Sequence, residues 1–110
     1  MASNYRSLVI SAQSAQDSTH TAVDALVFCN FGILVEASAG VSAGVVTLET
    51  AASVNYAGTW GSITTVTTNA ASTTFISTAL VGRAFSFVRA RISTAITGGT
   101  VNVYLIMHSE

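Results

Sequence analysis

Apolar and polar residues alternate in short runs along the whole chain, and small polar or glycine-containing segments separate these runs. Alternation with a period of two indicates a β-strand with one buried face, because successive side chains point to opposite sides of a sheet. No segment beyond about ten residues has the 3.6-residue apolar period of an amphipathic helix. The pattern predicts about eight strands, near residues 5–11, 24–29, 32–38, 44–50, 60–68, 73–80, 84–93 and 99–108.

The segments between these runs predict turns and one longer connection. Residues 11–21 are polar and small, which indicates a loop or an extended arm between the first two strands. Gly98 and Gly99 are predicted to supply the positive φ that closes the last hairpin. Short strands at intervals of about ten residues favour an all-β fold, either an antiparallel two-sheet sandwich or a jelly roll. At 110 residues, the chain is expected to form a single domain spanning residues 1–110.

The last two predicted strands each have one strongly apolar face. The residues expected in the core are Val101, Val103, Leu105 and Met107 from the last strand, with Val88, Ala90 and Ile92 from the strand before it. Phe85, Phe87, Arg89 and Arg91 then point away from the core. Exposed phenylalanines beside arginines are typical of protein–protein contacts, where guanidinium groups pair with carboxylates or stack on rings.

We therefore predict an interface on this outward stripe, extended by the first strand. Its residues are Phe85, Phe87, Arg89, Arg91, Tyr5 and Arg6. In an alternative arrangement, the two phenylalanines face inward. The arginines then lie beyond the sheet edge and pair with Glu36 or Glu49.

The low charge content limits what kind of surface this chain can have. Only 8% of residues are charged, whereas an ordinary soluble domain has about 25%. The surface is therefore either neutral and hydroxyl-rich or buried against other chains. The net charge of −1 favours burial, because it removes the repulsion that keeps monomers apart. Four arginines without lysine argue against a nucleic-acid partner.

Membrane insertion and secretion are not expected. The longest apolar run, ALVFCNFGILV, has about half the length of a membrane span, and MASNYRS lacks the features of a signal peptide. We expect the chain to be made and folded inside a cell, without secretion. Cys29 is the single cysteine, which argues against an internal disulfide and a cysteine-based zinc site.

The sequence offers little that indicates catalysis. It contains no nucleophile elbow, phosphate-binding loop, dinucleotide-binding motif or zinc-protease motif. Asp17, His20 and Asp24 are interpreted as residues of a solvated loop, and Glu36 and Glu49 as partners of arginines rather than a glycosidase pair. We predict a protein that is not an enzyme and has no cofactor and no metal.

Two segments, GVVTLETAASVNYAGTW and FVRARISTAITGGTVNVYLI, resemble a small β-sandwich pattern of tailed-bacteriophage virion proteins. In that pattern a strand of the form G-x-V-x-L-E leads to a tryptophan, here Gly44 to Glu49 and then Trp60. A V-R-A-R-I strand and a G-G-T-V-x-V-x-L strand follow, here at 88–92 and 98–105. The resemblance covers residues 44–106, although NYAGTW stands where the pattern has an Asp-Gly turn.

This resemblance implies a capsid decoration or cement protein on the surface of a virion. Such a protein binds the outer shell as a homo-oligomer, typically a homotrimer, and its partners are its own copies and the major capsid protein or another virion protein. One alternative is a structural module of a tail, neck or head fibre. Another is a carbohydrate-binding β-sandwich for host recognition, with Trp60, Tyr56 and Tyr104 as its candidate aromatic residues.

Overall fold

The computed structural model describes residues 4–25, 30–70, 72–79 and 86–108, and the regular structure of these residues consists of eight β-strands. The strands are β1 (Asn4–Gln13), β2 (Val23–Asp24), β3 (Asn30–Ala37), β4 (Ala43–Ala51), β5 (Gly61–Thr67), β6 (Ser72–Ala79), β7 (Phe87–Thr97) and β8 (Val101–His108). Each predicted strand overlaps one of them. The all-β prediction is therefore confirmed.

The strands form two four-stranded antiparallel sheets. Sheet A has the order β1-β8-β3-β6, and sheet B has the order β2-β7-β4-β5. The chain changes sheet at every connection except the hairpin between β4 and β5, and the first and last strands are neighbours in sheet A. This order is that of a jelly roll, in which two Greek keys close a sandwich.

The core lies between the two sheets and is built from alternate residues of the strands. The inward residues of β8 and β7 are those predicted, because each of them is fully buried. From β3, Phe31, Ile33 and Val35 join them, and β4 contributes Val46 and Leu48. In each of these four strands one face therefore fills the sandwich, and the other face is left for the molecular surface.

The strand β7 continues to Thr97, four residues beyond the predicted end. Its alternation is interrupted because the pairing of β7 with β4 has register shifts around Val45. A bulge adds a residue to one strand and changes which residues face the core. Thr94 and Ala95 are exposed at this irregularity. Ile96 is buried and keeps the phase of Val88, Ala90 and Ile92, because the two shifts together add two residues to β7.

Residues 14–20 follow β1 and lie along the edge of β7. The Asp17 amide donates a hydrogen bond to the Ile92 carbonyl oxygen at 2.7 Å, and the Ile92 amide donates to the Ser18 carbonyl oxygen at 2.9 Å. The Ile96 amide donates to the Ser14 carbonyl oxygen at 2.8 Å. The predicted loop or arm, 11–21, thus includes the end of β1 and a segment that extends the edge of sheet B.

Candidate functional site

Glu49 is a buried carboxylate on the outer face of sheet B. Its neighbours in β4, Val46 and Leu48, point into the core, so Thr47 and Glu49 point outward. The Glu49 side chain is nevertheless only 3% exposed. A charge removed from water in this way is strongly unfavourable unless it is paired and hydrogen-bonded.

Two arginines of β7 supply that pairing. Arg89 lies directly opposite Glu49 in the antiparallel register, and Arg91 lies opposite Thr47, on the diagonal of Glu49. Arg89 Nε donates to Glu49 Oε1 at 2.8 Å, and Arg91 Nε lies 3.2 Å from both carboxylate oxygens. The Arg89 and Arg91 side chains are partly exposed, at 21% and 28%.

Trp60 packs on the same cluster from the connection that precedes β5. The Arg89 guanidinium carbon lies 4.0 Å from the Trp60 ring centroid, which is a cation–π contact. The indole Nε1 donates a hydrogen bond to the Tyr56 carbonyl oxygen at 3.0 Å. Trp60 is only 7% exposed, so its ring serves as packing for Arg89 rather than as an open platform.

Asp17 closes the cluster from the segment along β7. It has φ 68°, a left-handed conformation that Asp adopts more readily than most residues. Its Oδ1 accepts a hydrogen bond from Arg91 Nη1 at 2.7 Å. Burial acts to lower the pKa of Arg91, but its hydrogen bonds with Glu49 and Asp17, and their charges, raise that pKa overall.

His20 ties the same segment to the backbone of β7. Its Nε2 accepts a hydrogen bond from the Ala90 amide at 2.9 Å, and its Nδ1 lies 2.8 Å from the Thr21 carbonyl oxygen. These partners require a proton on Nδ1 and none on Nε2, which is the neutral ring. Burial lowers the pKa of His20 from its ordinary value of 6.5, opposed by the Thr21 hydrogen bond and aided by the Arg89 charge.

These residues line a groove of about 360 Å³ on the outer face of sheet B. Its lining residues are Asp17, Thr19, Glu49, Gly58, Thr59, Trp60, Arg89 and Arg91. Two arginine charges and two carboxylate charges balance one another within it. The arrangement stabilises the groove wall by ion pairs.

Among the described residues, no group of three or more His, Cys, Asp or Glu side chains could hold a metal ion.

The predicted interface residues are divided between the two sheets. Arg89 and Arg91 lie together, and Phe87 is half-buried on the same face of β7. Phe85 lies outside the described residues. Tyr5 and Arg6 are in β1 of sheet A, where Tyr5 packs against the core and Arg6 is exposed. Both arginines pair with Glu49, as in the alternative arrangement, but they lie within sheet B on the same outward face as Phe87 and not beyond the sheet edge.

Two contacts of the cluster were missed by the sequence analysis. Asp17 and His20 were interpreted as solvated loop residues, yet they contact Arg91 and the backbone of β7. The scarcity of charge could have indicated that the few charged residues pair with one another, since each buried charge needs an opposite one. The identity of each partner depends on strand order, which the local pattern does not contain.

The aromatic residues considered for carbohydrate binding do not share one surface. Tyr56 and Trp60 are neighbours, with ring centroids 6.4 Å apart and planes inclined by 59°. Tyr104 lies in β8, on the other sheet.

Among the described residues, no helix has the length and apolar character needed to cross a membrane.

No protein-family model matches the sequence. No curated protein sequence matches it either. Among solved structures, the chain is similar to a protein of Bacillus endospore appendages, described as a family of disulfide-linked pili. That match has a TM-score of 0.60 and 10% identity, and it covers 97% of this chain and 85% of the pilus protein.

Two further structures share the fold. The PBSX exported protein XepA matches with a TM-score of 0.63 and 13% identity over 94% of this chain, which spans only 36% of XepA. The SPBc2 prophage-derived protein YomS matches with a TM-score of 0.54 and 12% identity, covering 99% of this chain and 96% of YomS. At these identities, the likeness establishes the common β-sandwich fold.

Proposed function

We propose that this chain is a structural protein of a phage virion, a capsid decoration or cement protein on the outer surface of the shell. It binds there as a homo-oligomer, expected to be a trimer, and stabilises the shell after synthesis in the host cytoplasm. Its partners are its own copies and the major capsid protein or another virion protein. The role needs no catalysis, cofactor, nucleic acid or membrane.

The observation that carries this proposal is the shortage of charge on the surface. The folded chain has an accessible surface of 5673 Å². Its formal charges come from four arginines and five acidic residues. Arg89, Arg91, Glu49 and Asp17 neutralise one another in a single cluster. Most of the remaining surface is uncharged and therefore suited to contact with other chains.

A decoration protein gains from this kind of surface. Each contact with the shell is repeated by symmetry, so weak neutral contacts combine into strong attachment. A surface with a large net charge would instead cause electrostatic repulsion between neighbouring copies. The jelly-roll fold supports the same role, because it is common in viral capsid proteins. The fold is also shared with a prophage-derived protein and a pilus protein, in line with a structural function.

The test uses particles of the phage that encodes this chain, with and without the gene for it. We expect particles that lack the protein to release DNA at a lower temperature, and purified protein added back to restore the wild-type temperature. Particles that are equally resistant to heat and osmotic shock without the protein would overturn the proposal.

Copy number tests the position in the virion. Quantitative gel densitometry of purified particles is expected to give hundreds of copies, as symmetric coverage of a shell requires. A dozen copies or fewer would overturn the capsid position and favour the tail, neck or head-fibre alternative.

A further inference from the structure

The outer face of sheet A carries an exposed apolar surface that the charge cluster does not involve. Alternation places its side chains outward, because Val103 and Leu105 of β8 and Ile33 and Val35 of β3 fill the core. We call this surface the sheet A face. Its residues are Arg6, Leu8, Leu34, Glu36, Tyr104 and Ile106.

An apolar row crosses the middle of the sheet A face. Leu8 of β1 pairs with Tyr104 of β8, and Tyr104 pairs with Leu34 of β3, so the three side chains are neighbours on one face. Leu8 is 43% exposed, and Leu34 and Tyr104 are half-buried. Ile106, in the adjacent row, extends the apolar surface. A contiguous patch of this kind is typical of a contact with another protein.

Two opposite charges lie at opposite corners of the same face. Arg6 of β1 is in the row that also contains Ile106 of β8 and Gly32 of β3. Glu36 lies four residues after Gly32 in β3, opposite Asn102. The two charges are separated by about 13 Å along the strands and about 10 Å across them, too far for an ion pair within one chain. Neither has an ion-pair partner among the described residues, in contrast to Arg89 and Arg91.

We propose that the sheet A face is the self-association surface and that Arg6 of one copy pairs with Glu36 of a neighbouring copy. A second copy fits because the face presents an arginine and a glutamate on either side of an apolar centre. A twofold axis in the plane of the contact, perpendicular to the line from Arg6 to Glu36, places the arginine of each copy on the glutamate of the other. This inference rests on the self-assembly in the proposed function and adds the face that carries it. The β7 arginines already use their charges on Glu49 and Asp17.

Charge reversal in the full chain tests the pairing. Arg6→Glu and Glu36→Arg are each expected to weaken self-association by about tenfold or more, because like charges then meet at the contact. The double variant is expected to restore association to near the wild-type level. Sedimentation velocity over a range of concentrations measures the dissociation constant, and circular dichroism verifies that each variant is folded. Single variants that assemble like the wild type would overturn the inference, as would a double variant no better than either single variant.

Two controls sharpen the result. Thr65→Glu adds a negative charge to an exposed position of β5, on sheet B, and is expected to leave self-association unchanged. Leu8→Ser removes apolar surface from the sheet A face without changing its charge and is expected to weaken association. A Thr65 variant as impaired as the Arg6 variant would overturn the assignment to this face.

A mixture of the two single variants distinguishes a twofold dimer from a trimeric ring. In a twofold dimer, the mixture forms heterodimers in which both contacts join unlike charges, so association is fully restored. In a trimeric ring, any mixture retains at least one like-charge contact, so restoration is partial. Either restoration supports the pairing, and the absence of any restoration overturns it.

The inference and the proposed function fail in different ways. A wild-type chain that stays monomeric at high concentration but still protects particles from heat overturns the self-association face and leaves the shell-stabilising role. If the charge-reversal variants behave as expected but particles gain no heat resistance from the protein, the cement role is overturned and the self-association face is retained.

Discussion

At the scale of single residues, the carboxylate of Glu49 is the centre of the ion-pair cluster. Both its oxygens accept hydrogen bonds from arginines, and its side chain is almost completely removed from water. Asp17 contacts the same cluster, but its side chain is 72% exposed. The two carboxylates therefore carry the same charge in very different environments, and their contributions to stability are expected to differ.

Glu49→Gln is expected to lower the free energy of unfolding by about 2–3 kcal/mol, because two neighbouring guanidinium groups lose their common anion. The matched control, Asp17→Asn, removes an exposed partner and is expected to cost less than about 1 kcal/mol. Urea unfolding at pH 7, followed by circular dichroism, measures both. Equal stability of the two variants would contradict this account of the cluster.

His20 makes the stability dependent on pH. Burial lowers its pKa in the folded chain, so between pH 6.5 and that lower pKa the unfolded chain binds more protons than the folded chain. The contribution of the neutral ring is complete above pH 6.5, and it is lost as the pH falls through this window. Protonation of Nε2 also removes its hydrogen bond with the Ala90 amide.

We therefore expect the free energy of unfolding to decrease when the pH is lowered from 7.5 to below 6.5, and His20→Gln to remove that part of the decrease. His108→Gln, which changes the second histidine, is the matched control and should retain it. Urea midpoints at several pH values provide the measurement. A His20 variant with the full wild-type pH dependence would contradict the assignment.

At the scale of elements, two turns at one end of the sandwich pack backbone against backbone. Gly40 lies between β3 and β4 and has φ 93°, and Gly98 lies between β7 and β8 and has φ 88°. The positive φ predicted for Gly99 is wrong, because Gly98 alone makes the left-handed step of this turn. A Cβ atom on Gly98 would come closer to the Gly40 carbonyl oxygen than non-bonded atoms approach. The two connections can meet only because both residues lack a side chain.

Gly98→Ala is expected to lower the free energy of unfolding by about 2 kcal/mol or more, from the left-handed backbone and the contact with Gly40 combined. Gly61→Ala is the control, since its added Cβ would lie 3.8 Å from the nearest atoms of Thr50. It is expected to be nearly neutral. Thermal unfolding of both variants by circular dichroism tests the difference, and a Gly98 variant as stable as the wild type would contradict it.

At the scale of the whole molecule, the sheets join strands that are distant in sequence. The first strand, β1, pairs with the last, β8, and β4 pairs with β7. Loop closure must precede such contacts, and folds of this kind therefore fold slowly. The molecule also separates two surfaces: sheet B carries the neutralised charge cluster, and the sheet A face carries the charges of Arg6 and Glu36.

Refolding from urea is expected to take milliseconds to seconds, as for other β-sandwiches of high contact order. Trp60 is the single tryptophan and is buried, so its fluorescence reports closure of the loop onto sheet B. Stopped-flow fluorescence and far-UV circular dichroism are expected to give the same rate for a two-state transition. Refolding complete within microseconds would contradict the expectation.

The sequence by itself determined the strands and their inward residues. Alternation is a local property, so Val101 to Met107 and Val88 to Ile92 could be assigned to the core without knowledge of any neighbour. The low charge of the surface was likewise a matter of composition. The end of β7 was placed too early, because Thr94 is exposed where the alternation would bury an apolar residue, and the register shifts at that point depend on the pairing with β4.

Only the tertiary structure decided which charged residues meet. Glu49 and Arg89 are opposite one another because β4 and β7 are neighbours in sheet B, a pairing across about forty residues of chain. Asp17 and His20 reach β7 because the segment after β1 returns along its edge. Arg6 and Glu36 share one face because β8 lies between β1 and β3. Strand order is set by the packing of the whole sandwich, so local alternation alone does not reveal these partners.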